Sequence, residues 1–379
     1  MATIGIVHFP MQGHVGPATR LGRVLASAGH RVVAFAPDPF RAQIEASGSE
    51  MRVLGDPLPT LEGNVGGFEL TAGLAAMSAQ LMEGLVEGLH GEDVELIVHD
   101  LEAPWGRMAA EWLGLRRACS WPMFPPVAPF EPSWLGDPSH EARALMQWSR
   151  ETFVRRWGIE LGWELVANPA DINLALTTRE IAGPGELDAS WRFVGPLMDT
   201  SNGGSEPAIG ERDGRPLVYM ALGTFFSRNP DPFRSALDAL ADEPVRVLIS
   251  TWDHFGPEEL APIPDNAVVV GRVASSAVLR EAAVHITHGG AGSVHESLVH
   301  GVPMVGIPQG SDNHNWVERV VALGVGENAS ADSPEEIRAA VLRLLEDDAV
   351  RGRARELADR ILAYDGAAVA VSAVEELLD

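Results

Sequence analysis

The stretch AAVHITHGGAGSVHES, residues 282–297, decides the fold of this chain. Its first six residues predict a buried strand, and the pattern after Gly292 predicts a helix. Between them lie His288, Gly289 and Gly290. A strand that turns into a helix presents the first N–H groups of that helix and the positive end of its dipole, which together bind anions. The stretch therefore predicts a β/α domain with a phosphate site at the carboxyl end of a strand.

The glycine pattern separates this loop from two well-known phosphate loops. The dinucleotide-binding pattern G-x-G-x-x-G fails at its third glycine, and a Walker loop needs a lysine that this loop lacks. His288 can donate a ring N–H to a phosphoryl oxygen instead. Ser293 and Glu296 also have the spacing of a helix capping box, so a purely structural interpretation of both stays open.

Composition limits the classes of partner. The chain has 46% hydrophobic and 21% charged residues, which is typical of a globular protein, and its formal net charge is -25. Such a surface repels nucleic acid and anionic lipid, so we expect neither as a partner. The single cysteine, Cys119, offers neither an internal disulfide nor a metal cluster. With no long apolar run and no signal-peptide pattern, we expect a soluble, cytoplasmic protein.

The order of segments predicts two domains, which also suits the length of 379 residues. Residues 3–36 read as strand, helix and strand, with Pro17 at the first helical position. Residues 200–216 are rich in Gly, Ser, Pro and charge, as a linker is, and strands alternate with helices after them. Two α/β domains in tandem imply a cleft with ligands at the carboxyl ends of the strands. The predicted boundaries are 1–199 for the first domain, 200–216 for the linker and 217–379 for the second domain.

Eight of the ten tryptophans lie within residues 105–191, where proline is also frequent. One interpretation is irregular structure whose aromatic side chains fill a core. The other is an adaptable apolar pocket for a bulky ligand. The sequence leaves both open.

Five motifs in order carry a family resemblance. Residues 288–326 begin with H-G-G-x-G-S-x-x-E and continue through G-V-P and P-Q to Asp312. Four motifs precede them: F-P-M-Q-G-H-V-G-P at 9–17, V-E-L-I-V-H-D at 94–100, F-V-G-P at 193–196 and M-A-L-G-T at 220–224. Together they resemble the motifs of GT-B glycosyltransferases of the UDP-glycosyltransferase superfamily, especially the bacterial enzymes that glycosylate antibiotics, macrolides and other natural products.

The resemblance implies an α/β GT-B fold, in which two Rossmann-like domains face each other across a cleft. The first domain would bind the acceptor and the second the nucleotide-sugar donor. The C-terminal helices would cross back, so that the last one, at about 367–379, packs on the first domain.

The resemblance also implies roles for individual residues. His14 would be the general base that deprotonates the acceptor hydroxyl, and Asp100 would stabilise the imidazolium. Of the donor residues, Val273 would offer its backbone to the base, Glu296 would bind the ribose, and Asp312 with Asn313 would bind the sugar. The full donor set is Thr224, Val273, His288, Gly289, Gly290, Gly292, Ser293, Glu296, Asp312 and Asn313. The acceptor set is Met11, Trp105, Met123 and Phe124.

These groups suit one reaction. A histidine near neutrality accelerates deprotonation of a hydroxyl by roughly 10²- to 10⁴-fold, and a helix N-terminus stabilises the departing diphosphate. One base in a direct displacement predicts inversion at the anomeric carbon. We therefore expect a hexose or deoxyhexose to pass from a UDP- or dTDP-sugar to a hydroxyl of an apolar natural product. We expect no cofactor and no required metal, because no carboxylate cage or His/Cys cluster is visible. The protein would be a monomer or a homodimer.

The sequence departs from the family at three points. Ala274 and Ser275 replace the usual Pro and Gln at the base-binding loop, Asn313 is one methylene shorter than the usual Gln, and Trp316 stands where many relatives have Asn. The base and the sugar therefore stay open. Two other functions in the same fold also stay open, a nucleotide-sugar epimerase and a non-catalytic partner that binds nucleotide sugar or aglycone. A dinucleotide-dependent oxidoreductase is disfavoured by the missing third glycine.

Overall fold

The computed structural model describes residues 1–55, 67–126, 137, 139–162, 165–198, 213–224 and 228–379, and these form two compact units. Both are built on parallel sheets with helices between successive strands, so the predicted α/β class is confirmed. The predicted linker at 200–216 lies outside the described residues except for 213–216. Unit 1 comprises Met1–Thr178, Pro184–Leu197 and Asp365–Asp379, and unit 2 comprises Arg179–Gly183 and Met198–Tyr364.

The sheet of unit 1 has seven parallel strands in its described part, in the order β3-β2-β1-β4-β5-β6-β7. The strands are β1 (Thr3–Val7), β2 (Arg31–Ala36), β3 (Glu50–Val53), β4 (Leu96–Asp100), β5 (Arg116–Trp121), β6 (Ile172–Ala175) and β7 (Trp191–Phe193). The helices are α1 (Gln12–Ser27), α2 (Arg41–Glu45), α3 (Gly67–Gly91), α4 (Pro104–Leu113), α5 (His140–Trp157) and, from the C-terminus, α13 (Gly366–Glu375).

Alternation along the strands divides the core of unit 1 between the two faces of the sheet. Val7 and Ile97 pack with α3, α4 and α5 on one face, whereas Ile6 and Val98 pack with α1 and α13 on the other. Strands that are buried on both faces are typical of parallel sheets. Residues 365–379 therefore complete the core of unit 1.

The start of α1 differs from the prediction. Pro17 is not the first helical residue, because the helix begins at Gln12 and Pro17 lies inside it. Val15 N–H already donates to the Met11 carbonyl over 2.8 Å. Pro17 forfeits one intrahelical bond, and the burial of the apolar face of α1 against the sheet offsets that loss. As a result, His14 lies in the first turn of a helix rather than in a loop.

The sheet of unit 2 has six parallel strands among the described residues, in the order β10-β9-β8-β11-β12-β13. The strands are β8 (Leu217–Ala221), β9 (Arg246–Ser250), β10 (Ala267–Val270), β11 (Ala282–Thr287), β12 (Met304–Gly306) and β13 (Gly326–Asn328). The helices are α6 (Arg179–Ala182), α7 (Asp231–Leu240), α8 (Ser275–Leu279), α9 (Ala291–Val299), α10 (Asn313–Ala322), α11 (Pro334–Glu346) and α12 (Asp348–Ala363). None of the described helices is both long and apolar enough to cross a membrane.

In each sheet the winding reverses between two neighbouring strands, β1 and β4 in unit 1 and β8 and β11 in unit 2. The connections after these strands leave toward opposite sides, which opens a crevice at the carboxyl ends. His14 and Asp100 belong to the first crevice, and Thr224 and His288 to the second. The topology alone thus selects the places where ligands bind.

Docking of α13 depends on the missing side chain of Gly366. A Cβ at this position would overlap the Val194 carbonyl oxygen and lie 2.7 Å from its carbon. We expect Gly366→Ala to cost about 1–3 kcal/mol of stability, because the rigid backbone cannot yield as a side chain would. Gly352→Ala in α12 is the matched control, since nothing lies within 4 Å of its Cβ. This control should be stabilised by about 0.5–1 kcal/mol. Urea unfolding measures the stability of both variants. Equal changes in the free energy of unfolding would contradict the close packing of Gly366 against the Val194 backbone.

Four buried histidines make stability depend on pH. Burial lowers the pKa of His8, His99 and His288 to about 4 and that of His285 to about 3, from an ordinary 6.5. Below pH 6.5 the unfolded chain takes up protons that the folded protein refuses, so stability that is full above 6.5 falls as the pH drops toward 4. Each group contributes up to about 1.4 kcal/mol per pH unit.

Urea unfolding at pH 7.5, 6.5, 5.5 and 4.5 checks this expectation. In the unsubstituted protein, His285 Nδ1 lies 2.7 Å from the Ser297 hydroxyl oxygen. The His285→Gln variant keeps a polar side chain beside that hydroxyl, but its amide does not titrate. Its stability should fall less steeply below pH 6.5 than that of the unsubstituted protein. A free energy of unfolding that stays flat from pH 7.5 to 4.5 would contradict the assignment of neutral, buried imidazoles.

Candidate functional site

The carboxyl ends of β1 and β4 bring His14 and Asp100 together. His14 Nδ1 lies 3.0 Å from Asp100 Oδ1 and 3.1 Å from Oδ2. Both residues are buried, with 9% and 1% of their surface exposed. A carboxylate at Nδ1 holds the ring proton there, so that Nε2 carries the lone pair of the neutral imidazole. The pair therefore presents a base whose tautomer is fixed by a buried charge.

Asp100 does not cap the helix that follows it. Its Oδ1 accepts the backbone N–H of Glu102 over 2.9 Å, within the turn, while α4 begins at Pro104 with no side-chain cap. Capping of α4 therefore does not explain the presence of Asp100. Instead, the carboxylate joins the turn after β4 to the imidazole of α1.

Glu102 is a residue that the sequence reasoning missed. Its Oε2 lies 3.6 Å from His14 Nε2, on the side of the ring opposite Asp100. No periodic signal marked it, because Leu101 and Glu102 form a turn after the end of β4. The imidazole of His14 therefore lies between two carboxylates.

Two of the four acceptor candidates lie around His14. Met11 immediately precedes α1, and its carbonyl accepts the His14 N–H over 2.9 Å. Trp105 is 6.2 Å from the ring of Phe9, which in turn meets the His14 ring edge-on at 5.0 Å. These apolar contacts exclude water from one side of the imidazole.

The other two acceptor candidates pack elsewhere. The carbonyl of Phe124 accepts the indole N–H of Trp121 over 3.2 Å, and Met123 packs against the cluster that contains Trp121. Both residues follow the carboxyl end of β5.

The tryptophan-rich segment does not form a single pocket in its described part. Trp112 meets Trp157 edge-on at 5.0 Å, Trp121 meets Trp191 at 4.8 Å, and Trp148 is exposed. Trp105 alone of these residues lies in the core beside Phe9. Trp134 and Trp163 lie outside the described residues. The tryptophans therefore serve several separate contacts.

In unit 2 the anion site predicted at the start of α9 has the expected local geometry. The helix begins at Ala291, no side chain caps its first N–H groups, and its first turn contains no acidic residue. Gly292 has nothing within 4 Å of its Cβ position, so the approach to these N–H groups is open there. An unscreened helix N-terminus attracts a diphosphate.

His288 is held by the glycines around it. A Cβ on Gly223 would lie 2.6 Å from His288 Cε1, and a Cβ on Gly290 would overlap Nε2. Gly289 has φ +83, and its Cβ would lie 2.9 Å from the Asn313 carbonyl oxygen. Gly223, Gly289 and Gly290 therefore make room for the His288 ring and for the backbone at the start of α10.

Burial lowers the pKa of His288 to about 4, so the imidazole is neutral near pH 7. It can donate one ring N–H to a phosphoryl oxygen, but it carries no charge before a ligand binds. The fixed dipole of α9 is thus the main positive element of this site.

The capping-box interpretation of Ser293 and Glu296 is wrong. Gly290 precedes the helix, so Ser293 is the third residue of α9 and Glu296 the sixth. Glu296 is half-buried near Tyr219. Burial, together with the negative charge of Glu296, raises the pKa of the Tyr219 phenol to about 12. Glu296 therefore has no capping role that would explain its presence.

In the loop that is predicted to bind the nucleotide base, two serine side chains make hydrogen bonds within the protein. Ser275 Oγ lies 3.0 Å from the Tyr219 hydroxyl, and Ser276 Oγ lies 2.8 Å from His300 Nε2. Val273 follows β10, and its side chain is half-buried against the apolar cluster that contains Tyr219. The Thr224 carbonyl lies 3.3 Å from His254 Nε2, at the end of β8.

The candidate sugar residues surround the start of α10. Asp312 precedes the helix but does not cap it, because its Oδ2 accepts the indole N–H of Trp316 over 2.7 Å. Asn313 is buried, and its Oδ1 has no hydrogen-bond partner among the described residues. The same holds for Nε2 of Gln309, which the sequence reasoning missed although it belongs to the P-Q motif. Unsatisfied donors and acceptors of this kind suit a ligand rich in hydroxyls.

Within the described ranges, no three His, Cys, Asp or Glu side chains come together as metal ligands. The expectation that no metal is required stays a prediction.

Comparison with known proteins gives these features a family. Residues 234–377 match the family of erythromycin biosynthesis protein CIII-like C-terminal domains. The chain is 27% identical over 390 residues to the NDP-glycosyltransferase YjiC of Bacillus licheniformis, with 99% of this chain and 97% of that protein covered. It is 26% identical over 412 residues to the demethyllactenocin mycarosyltransferase of Streptomyces fradiae, with 100% and 87% covered.

A solved structure agrees. The crystal structure of CalG4, the calicheamicin glycosyltransferase, matches with a TM-score of 0.78 at 25% identity and covers 100% of this chain and 98% of that chain. Fold, motifs and relatives coincide over the full length. The chain therefore has the GT-B fold and is a sugar-transferring enzyme, and its relatives support a place among the bacterial natural-product enzymes of the UDP-glycosyltransferase superfamily.

Proposed function

We propose that the protein transfers a hexose or deoxyhexose from a UDP- or dTDP-sugar to a hydroxyl of an apolar natural product, with inversion at the anomeric carbon. The observation that carries this proposal is the buried pair in which His14 Nδ1 lies 3.0 Å from Asp100 Oδ1. It leaves Nε2 as a base at the reversal of strand order, where ligands of such sheets bind.

His14 would remove the proton from the acceptor hydroxyl as the oxygen attacks. Proton transfer turns the imidazole into a cation, and Asp100, 1% exposed, stabilises that cation at short range in a site from which water is largely excluded. The carboxylate is already oriented by the Glu102 N–H, so little reorganisation is needed. Such a base contributes roughly 10²- to 10⁴-fold to the rate.

The leaving group would be held at the start of α9. The uncapped N–H groups and the helix dipole oppose the charge of the diphosphate, and the neutral His288 adds one ring N–H. Asp312, Asn313 and Gln309 would bind the sugar hydroxyls, since each offers polar atoms near the same turn. The C–O bond to the diphosphate breaks as the bond to the acceptor forms on the opposite face, which gives inversion.

The acceptor class rests on the relatives. One is named a demethyllactenocin mycarosyltransferase and another an oleandomycin glycosyltransferase. Phe9 and Trp105 supply an apolar flank beside His14, which suits a scaffold of that kind. A metal ion has no part in the proposed steps.

His14→Ala should lower the transfer rate at least 10²-fold and leave the affinity for UDP or dTDP within about twofold, because the base lies in unit 1 and the nucleotide residues in unit 2. Product formation by chromatography and calorimetric titration of the nucleotide measure the two quantities. His140→Ala, at an exposed position of α5, is the control and should change neither. Unchanged transfer in His14→Ala would contradict the base assignment, whereas an unsubstituted protein that binds the nucleotide but transfers no sugar would indicate an epimerase or a non-catalytic partner.

His288→Ala should weaken binding of the nucleoside diphosphate by roughly 10- to 100-fold, the effect of one hydrogen bond to a charged group. A thermal-shift series with UDP, dTDP, GDP and NAD identifies the base first, and calorimetry with the best ligand then compares the variant. We expect stabilisation by UDP or dTDP and none by NAD. Unchanged affinity in His288→Ala would contradict the phosphate-site assignment, and a shift with NAD alone would contradict the donor class.

A further inference from the structure

One buried phenol lies next to the loop that is predicted to bind the nucleotide base. Residues 271–275 lead from the end of β10 to the first residue of α8, and Val273 is at their centre. The side chain of Tyr219 comes from β8 of the same unit and is fully buried. Its hydroxyl lies 3.0 Å from Ser275 Oγ, at the far end of the loop. Burial raises the pKa of this phenol to about 12, although hydrogen bonds with Ser275 and Ser250 act in the opposite direction.

The protons of these hydroxyls define a directed chain of hydrogen bonds. The phenol keeps its proton near pH 7, because its pKa is about 12. The Ser250 hydroxyl donates to the Gly271 carbonyl over 2.9 Å, so it can only accept the proton of Tyr219. The proton in the 3.0 Å contact must then come from Ser275, which donates to the phenol oxygen. The chain of hydrogen bonds thus starts at one end of the loop and returns to the other end through Tyr219.

The rest of the protein fixes both the phenol and the first end of the loop. The Gly271 carbonyl also accepts the Trp252 N–H over 2.8 Å, which ties this end to the segment after β9. The ring of Tyr219 stacks on the His285 imidazole, with the centroids 4.9 Å apart and an angle of 13° between the planes. His285 Nδ1 in turn lies 2.7 Å from Ser297 Oγ in α9. The phenol therefore has a defined position from which it holds the far end of the loop.

We propose that Tyr219 is a positioning residue for the nucleotide base, because it holds residues 271–275 in the conformation that receives the base. It acts through Ser275 and Ser250. This inference rests on the proposed function and on the expected contact of the base with the Val273 backbone. A loop that already has its bound conformation loses less conformational entropy when the ligand enters. A loop that visits several conformations binds more weakly, in proportion to the fraction that is competent.

Tyr219→Phe tests the inference, because it removes the hydroxyl and keeps the ring that stacks on His285. Calorimetric titration measures the affinity for UDP or dTDP, whichever the unsubstituted protein binds more tightly. Competition with that nucleotide measures the affinity for inorganic pyrophosphate, which has no base to contact the loop. We expect the nucleotide affinity to fall about 10-fold, or about 1.4 kcal/mol, and the pyrophosphate affinity to stay within about twofold. In turnover, KM for the nucleotide sugar should rise about 10-fold while kcat stays within about twofold.

Variants of Ser275 check that the effect follows the chain of hydrogen bonds. Ser275→Ala breaks the chain at a half-buried position, so it should match Tyr219→Phe, and it carries the test if Tyr219→Phe fails to fold. The double variant should bind the nucleotide no more weakly than either single variant, because both substitutions break the same chain. Ser275→Thr keeps a hydroxyl and should restore most of the affinity. Tyr364→Phe is the matched control and should keep the full affinity, since Tyr364 is the other tyrosine of the protein and is 40% exposed.

Two results would overturn the inference alone. In one, Tyr219→Phe and Ser275→Ala bind the nucleotide as tightly as the unsubstituted protein does. In the other, the affinities for the nucleotide and for pyrophosphate fall equally, which indicates a general loss of structure in unit 2. The proposed function fails in a different way, namely if the unsubstituted protein binds neither UDP nor dTDP.

Discussion

The short contact between His14 and Asp100 is the interaction on which the chemistry of this protein depends. A buried carboxylate has little water to solvate it, so it keeps its bond to the imidazole and fixes the tautomer. The parallel sheet makes the contact possible, because β1 and β4 are neighbours whose carboxyl ends meet at the reversal of strand order. The first turn of α1 then carries His14 over the end of β4. Neither residue could supply the base alone.

The donor side of the protein follows a different principle. Here positive potential comes from the start of α9, with His288 neutral because burial opposes its charge. The chain has a net charge of -25 and a neutral histidine at this loop. The dipole of the helix attracts the diphosphate without a charged side chain, so the free enzyme needs no counter-ion there. Gly223, Gly289 and Gly290 maintain this loop by allowing His288 and the start of α10 to approach the backbone closely. Substitution at these glycines would act on the site through packing rather than through lost contacts to the nucleotide.

Carboxylates on either side of one imidazole give His14 two distinct neighbours. Asp100 stabilises the cation that forms during transfer, and its own position is set by the turn that also carries Glu102. Glu102 Oε2 lies 3.6 Å from the other ring nitrogen, Nε2. Both carboxylates that approach His14 thus come from the end of β4 and the turn after it.

The sequence by itself determined the α/β class, the parallel sheets, the strand–glycine–helix turn of residues 282–297 and the resemblance to the family. These features are local or periodic, so pattern and turn chemistry suffice to find them. The sequence also paired His14 with Asp100 through motifs, although 86 positions separate them. Sequence reasoning was wrong about Pro17 and about the Ser293 capping box. Both errors concern the residue at which a helix begins, and helix ends are the part of an element that sequence patterns locate least well.

Tertiary structure alone decided which polar groups face each other. It placed Glu102 at Nε2 of His14, bound Asp312 to Trp316 and distributed the tryptophans over separate contacts. It also set the close contact between Gly366 and the backbone at Val194 within unit 1. Such contacts depend on distances of a few ångströms between segments far apart in sequence. A one-dimensional pattern records spacing along the chain and carries no measure of those distances.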